Sequence, residues 1–172
     1  MLRIGIISDT HGLLRPQVEQ LLAGVATIVH AGDIGSPDVI AGLQRIAPVV
    51  AIRGNVDTGG WAEQYPETRT VTLGGHCIHV LHDIHTLQLD PVSSGVDVVV
   101  FGHSHRPRIE TIRGVLHLNP GSAGPRRFNL PITLATLDLT ASGPKPLLHD
   151  LAAQDSRGGK NVPVRRPTKR RP

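Results

Sequence analysis

Cysteine is almost absent from this 172-residue chain: Cys77 stands alone, so no intrachain disulfide framework can hold the fold. The length makes one unnecessary, because a chain of this size buries an adequate apolar core. Aromatic residues are equally scarce. Trp61, Tyr65, Phe101 and Phe128 are the whole set, too few for the stacking platforms on which single-stranded nucleic acids lie. Long apolar runs are missing as well. None approaches the roughly 18 residues of a membrane span, and the first, Ile4 to Ile7, turns polar at Ser8-Asp9-Thr10-His11, too early for a secretory leader. These absences predict a cytoplasmic protein with no membrane partner.

Charge is unevenly spread. Of eighteen Lys and Arg residues, seven lie in residues 157–172 with no acid among them, which leaves eleven against fourteen acids in the body. The body is therefore mildly acidic and the sequence pI of about 10.0 belongs to the tail. That tail is rich in Gly and Pro and poor in bulky apolar residues, so it cannot offset its own ordering entropy. The division expected is a domain over residues 1–152 and a basic, disordered tail over 153–172, read as a solvated end in preference to a nucleic-acid-binding arm.

What the chain does contain is strand and helix in alternation. Arg3 to Ser8, Thr27 to His30 and Val49 to Arg53 read as strands; Arg15 to Ala23 and Pro37 to Ile46 read as helices between them, the second opened by Ser36 as cap with Pro37 at its first position. A βαβαβ order implies parallel pairing with right-handed crossovers. The second half changes character. Arg69 to Leu73 and His76 to Leu81 flank the hairpin signal Gly74-Gly75, Val96 to Phe101 is a nearly continuous apolar strand, and Arg108 to Arg113 pairs with Val115 to Leu118 across Gly114. Leu130 to Leu139 and Lys145 to His149 close the series. The predicted fold class is α/β, with two mixed β-sheets packed face to face and helices on the outside.

Ten histidines stand out in such a composition, and their placement matters more than their number. Asp9 and His11 follow the first strand, Asp33 the second, Asn55 and Asp57 the third, His82 ends the His76 strand, and His103 and His105 follow Phe101-Gly102. Ligands of open α/β sheets collect at the carboxyl ends of strands, so five loops point oxygen and imidazole donors at one edge. Singly, each piece is ordinary turn chemistry; turn chemistry does not readily explain all five together.

In order and spacing, Asp9-x-His11, Gly32-Asp33, Gly54-Asn55-x-Asp57, His82 and Gly102-His103-x-His105 resemble the calcineurin-like metallophosphoesterases. Asn119-Pro120-Gly121-Ser122 is similar to the short bacterial and archaeal phosphodiesterase branch, whose fold the retromer subunit shares. The resemblance implies a four-layer αββα fold and a centre of two divalent metal ions. Asp9, His11 and His105 would hold one ion, Asn55, His82 and His103 the other, and Asp33 would bridge them, with Asp33, Asn55 and His103 carried over as catalytic. Mn²⁺ is the expected ion, with Fe, Zn²⁺, Ni²⁺ or Mg²⁺ as alternatives. Carboxylate, amide and imidazole donors without thiolates suit such ions and not a structural zinc. Two metals about 3.5–4 Å apart activate water and clamp an in-line displacement at phosphorus, so the implied activity is phosphoester hydrolysis, phosphodiester before monoester, on a small substrate.

The sequence departs from the family pattern in two places. Val56 stands where many members carry a histidine that protonates the leaving group, which passes that task to metal charge, water or a neighbour such as His85. His82-Asp83-Ile84-His85 replaces the branch's usual His-Gly-His and alters the substrate mouth. His30, His76, His79 and His117 are read as packed or solvated strand histidines, His30 as support for its loop. Asp57 is read as orienting a ligand, and Arg53, Arg106, Arg126 and Arg127 as either surface residues or phosphate contacts. Two further functions are carried beside the diesterase: a protein-binding scaffold of the same fold, and a monoesterase or a nuclease assisted by the tail.

Overall fold

The computed structural model describes residues 1–152; the basic tail anticipated over 153–172 lies outside the described residues. Ten strands form two five-stranded sheets. In the first, β1 (Leu2–Ile7), β2 (Ile28–Ala31) and β3 (Val49–Ile52) run parallel, and β9 (Thr133–Thr140) and β10 (Gly143–Asp150) add antiparallel on the far side of β1, giving the order β10-β9-β1-β2-β3. The second sheet has the order β4-β5-β6-β8-β7. Here β5 (His76–Leu81), β6 (Val98–Val100) and β8 (Val115–Asn119) are parallel, with β4 (Thr68–Leu73) and β7 (Arg108–Ile112) as antiparallel edges. Both hairpins turn where the sequence marks them: Gly74 and Gly75 have φ of 55° and 83°, and Arg113 and Gly114 51° and 84°, the left-handed pair that a two-residue turn needs to match strand twist.

The sheets stack through one dry interface. Ile4, Ile6, Val29 and Leu137 of the first sheet meet Ile78, Val80, Val98 and Leu118 of the second, all of them fully buried. Alternation sends the other residues of the same strands outward. On the first sheet those residues, Ile7 and Ile28 among them, are covered by α1 (Pro16–Leu21) and α2 (Pro37–Gln44) through Val18, Ile40 and Leu43. Both helices carry proline at the N-terminus, and Ser36 caps α2 by accepting from the Asp38 N–H at 3.2 Å. α1 stops two residues before the predicted Ala23, shortly before Gly24, whose φ is 78°.

Among the described residues no α-helix lies over the second sheet. Its outer face, with Leu81, Val99 and Phe101, is covered by Ile84, Leu87 and Leu89 from a connecting segment whose regular structure is one 3-10 turn, Ile84–Thr86. β6 is also shorter than predicted. Asp97 docks beside β5 instead of joining β6, its carboxylate accepting from the Cys77 N–H at 2.7 Å. Among the described residues no helix is long and apolar enough to cross a membrane.

Candidate metal centre

Parallel strands of both sheets end at one edge of the sandwich, and there the seven predicted ligands gather. Asp9, His11, Asp33 and Asn55 come from loops after β1, β2 and β3; His82, His103 and His105 come from loops after β5 and β6. The backbone pays for this convergence. Asp9, His11, Asp33, His103 and His105 have φ of 54°, 46°, 53°, 68° and 57°, a left-handed region that residues with a Cβ seldom occupy and that concentrates at functional sites. The loops are tied to each other: Asp9 N–H donates to Gly32 O (3.0 Å), His11 N–H to Asp33 O (3.0 Å) and Gly102 N–H to His82 O (2.9 Å). The glycines beside the ligands are there for clearance, since a Cβ on Gly54 would overlap the Asp33 carboxylate and one on Gly102 would overlap Ser8 and Asp9.

Asp33 stands in the middle. Its Oδ2 lies 3.8 Å from His11 Nε2 and its Oδ1 3.2 Å from His82 Nε2, so its two oxygens face histidines of the two predicted sets. On one side, donor atoms of Asp9, His11 and His105 all lie within 4.8 Å of one another, with Asp9 Oδ1 and His11 Nε2 each 3.2 Å from His105 Nε2. On the other side, Asp9, Asp33 and His82 meet the same distance criterion, which puts Asp9 beside both groups. His103 and Asn55 form a third pair, Nδ1 to Oδ1 at 3.1 Å, and the His103 ring lies edge-on to His82 with centroids 5.2 Å apart. The burial is asymmetric. The Asp9 and His105 side chains are nearly inaccessible, whereas that of His103 is 47% exposed, so one side is closed and the other opens to solvent.

The residues fit a cation. His82 Nδ1 donates to the Ala31 carbonyl at 2.8 Å, which leaves a lone pair on Nε2 directed at the Asp33 carboxylate. Nε2 is buried without a hydrogen-bond partner, as are Asp9 Oδ1 and His105 Nδ1. Lone pairs of two carboxylates and an imidazole crowded together out of water are stable only with positive charge between them. Charge on these groups is coupled through Asp33. Burial opposes charge on His82, but Asp33 and the Ala31 carbonyl outweigh it and raise its pKa. Burial likewise opposes charge on Asp33, and His82, the Val56 N–H (3.1 Å) and His11 outweigh it and lower its pKa. His11, where burial dominates, is lowered, and the positive charge of Arg127 adds to that lowering against the pull of Asp33.

A supporting shell holds the loops. Asp57 accepts three backbone hydrogen bonds, from Ile34 N–H (3.0 Å) and Gly54 N–H (2.8 Å) on Oδ2 and from Gly35 N–H (2.8 Å) on Oδ1, and so fastens the Asp33 loop to the Asn55 loop. His30 is fully buried and supports its loop as predicted. Gly32 N–H donates to its Nδ1 (3.2 Å), its Nε2 bonds the Thr10 hydroxyl (2.9 Å), and that hydroxyl donates to Ile34 O (2.9 Å). The order of donors fixes the neutral Nε2–H tautomer, and burial pushes the His30 pKa down to about 4. His76, His79 and His117 are strand histidines bonded to Thr140 O, the Thr70 hydroxyl and Val115 O.

Asn119-Pro120-Gly121-Ser122, which in the sequence carries a resemblance but no task, has a structural one. Asn119 Nδ2 donates to Gly102 O (2.7 Å) and Ser104 Oγ (3.2 Å), gripping the His103–His105 turn, while Ser122 Oγ donates to Asp9 O (2.8 Å). An Asn at a strand end carries no sign of that reach. At the open side, Asp83 Oδ2 lies 3.9 Å from His103 Nε2, whereas His85 is exposed and Val56 is 42% exposed. Arg53 pairs with Glu67 at 2.8 Å, and Arg106 and Arg126 are exposed. Beside Asn55, His82 and His103 opens a cavity of about 710 Å³.

Residues 2–142 match the calcineurin-like phosphoesterase superfamily domain. The chain is 31% identical over 140 residues to a probable metallophosphoesterase of Methanothermobacter thermautotrophicus, covering 74% of this chain and 81% of that one. Its fold is similar to a structurally and functionally characterised archaeal phosphodiesterase, with a TM-score of 0.71, 25% identity and coverage of 86% and 100%. It is also similar in fold to Vps29 of Chaetomium thermophilum, with a TM-score of 0.69 at 19% identity and coverage of 87% and 95%.

Proposed function

The chain belongs to the calcineurin-like phosphoesterase superfamily, and from that premise we propose that it is a phosphodiesterase working with two divalent ions, Mn²⁺ in the first place. The observation that carries this reading is the position of Asp33 between two donor groups, with Asp9 Oδ1 and His82 Nε2 buried and unpartnered around it. Asp9, His11 and His105 would hold one ion, Asn55, His82 and His103 the other, and Asp33 both. Bound ions supply Lewis acidity for activating water and for neutralising charge on phosphoryl oxygens during in-line displacement.

The chain's own residues do the rest. Asp57, His30 and Asn119 keep the loops in register, because misplacement of a reacting group by an ångström is expensive in rate. Half-exposed His103 and its partner Asn55 sit where a phosphoryl group enters from solvent, and Arg127 adds positive charge on the His11 side. A diester monoanion suits this supply of charge better than a monoester dianion, which gains from several free cations and a dedicated acid for its leaving group. Val56 provides no proton. The lone, partly buried thiol of Cys77 is consistent with a reducing cytoplasm as the setting.

The test is Mn²⁺-dependent hydrolysis of bis(p-nitrophenyl) phosphate by the full chain and by Asp33→Asn. Hydrolysis by the parent that the variant loses is the expected result. Faster turnover of p-nitrophenyl phosphate under the same metal would replace the diesterase reading with a monoesterase one, and metal uptake without turnover of either ester would favour a binding scaffold.

A further inference from the structure

Beside the irregular segment that covers the second sheet lies the cavity of about 710 Å³. It is lined by His79 and Leu81 from the outer face of β5, by Thr68 on edge strand β4, and by Leu87, Gln88 and Leu89 from the irregular segment. Its mouth is the open side of the candidate metal centre. Phosphorus held at Asn55, His82 and His103 would direct one ester arm into it. The volume falls within the range of small-molecule sites, about 300–1,000 Å³, and a methyl group would leave it mostly filled with water.

Its chemistry selects among arms. Leu81, Leu87 and Leu89 supply an apolar surface, and the Thr68 hydroxyl and the Gln88 amide supply hydrogen bonds at its edges. The charge balance is against a second anion. Arg53 is neutralised by Glu67 at 2.8 Å, Asp83 adds another carboxylate at the rim, and no other arginine or lysine lines the cavity among the described residues. A nucleic-acid backbone or a polyphosphate would meet two carboxylates there with no unpaired cation. Among the described residues no Phe, Tyr or Trp lines the walls, and the ring available there besides the candidate ligands is the His79 imidazole on the floor, so selection rests mainly on fit and hydrogen bonding.

We propose that this cavity is the subsite for an uncharged arm of roughly nucleoside size, with one apolar face and a hydrogen-bonding edge, so that the substrate class is a monoanionic phosphodiester bearing such an arm. The assignment rests on the phosphodiesterase reading. Three Mn²⁺-dependent substrates with a common leaving group separate the two: methyl p-nitrophenyl phosphate, bis(p-nitrophenyl) phosphate and thymidine 5′-(p-nitrophenyl phosphate). kcat/KM is expected to rise at least tenfold from the methyl ester to the two larger ones. Thr68→Trp and Gln88→Trp, at exposed lining positions on β4 and on the irregular segment, are expected to erase that rise while leaving methyl-ester turnover within about twofold. A second readout needs no turnover. In the Mg²⁺-loaded protein, diphenyl phosphate should shift the methyl resonances of Leu87 and Leu89, and dimethyl phosphate should not.

Equal kcat/KM for all three esters, or parallel loss on all three in both variants with folded structure retained, overturns the subsite and leaves the diesterase standing. Hydrolysis of none of them overturns the diesterase reading and the subsite with it.

Discussion

Five of the seven candidate ligands sit in the left-handed region, and this predicts an inverted response to glycine. At His103 the side chain is half exposed and touches Asn55 and Asp83, so removing it sacrifices little folding energy. Its φ of 68° costs a residue with a Cβ about 1–2 kcal/mol. Glycine escapes that cost but gives back about 0.4–1 kcal/mol through the extra freedom of the unfolded chain. His103→Gly and His103→Ala discard the same imidazole, so their difference isolates the backbone, and glycine should be the more stable by roughly 0.5–1 kcal/mol. In a helix or strand interior the order is the reverse. For a domain of this size the gap is about 1–4 °C in Tm, read from thermal unfolding of both variants in a chelating buffer at pH 7. An alanine variant as stable as the glycine variant, or more so, would refute the claim that this loop is strained.

Asp57→Asn should lower Mn²⁺ affinity on the order of 10- to 100-fold and cost about 1.5–3 kcal/mol of stability, because an amide can accept on only one side and turns N–H groups toward backbone donors; metal titration and denaturant unfolding read the two, and unchanged metal affinity contradicts its fastening role. His30, with a folded pKa of about 4 against an unfolded value near 6.5, binds its proton only after unfolding across that interval. Its contribution is therefore complete above pH 6.5 and is lost as pH falls toward 4, an effect of about 3 kcal/mol. Imidazole resonances of His30 should remain those of the Nε2–H tautomer down to acid unfolding; an imidazolium signal in folded protein at pH 6 breaks the argument. Val56→His should raise turnover of alkyl-leaving-group diesters about tenfold or more and that of p-nitrophenyl esters far less, and equal gains on both would show that proton supply is not what limits the parent.

The legible part of this protein was where chemistry coincides with punctuation. The ligand-bearing parallel strands are short apolar runs that end in polar residues, with glycine just before the ligand after β2, β3 and β6, so strand ends and candidate ligands are read together, and all seven reach one edge. Strand bounds slipped where side chains competed with the ladder, as at Asp97, whose carboxylate caps β5 in place of extending β6. The second sheet's cover was not legible because Ile84, Leu87 and Leu89 have the spacing of neither a helix face nor a strand. Nor was the grip of Asn119 on Gly102, a contact between residues 17 apart in the chain. Positive φ at aspartate and histidine leaves no mark in sequence, unlike positive φ at glycine. Asp83 was visible as a departure, but its approach to His103 came from the turn it caps.

Four of the seven ligands hang from one sheet and three from the other, so the cluster straddles the seam of the sandwich. An ion bound there would act as a rivet at the edge of two leaves already joined by their apolar interface. It could form only after the leaves had closed, and its binding free energy would be felt wherever they part: at a hundredfold excess over Kd, about 2.7 kcal/mol against opening. Amide exchange along β6, far from any ligand atom at its outer end, should then slow on adding metal as much as exchange along β2. The edge that performs the chemistry would thereby set how readily the two halves of the molecule come apart.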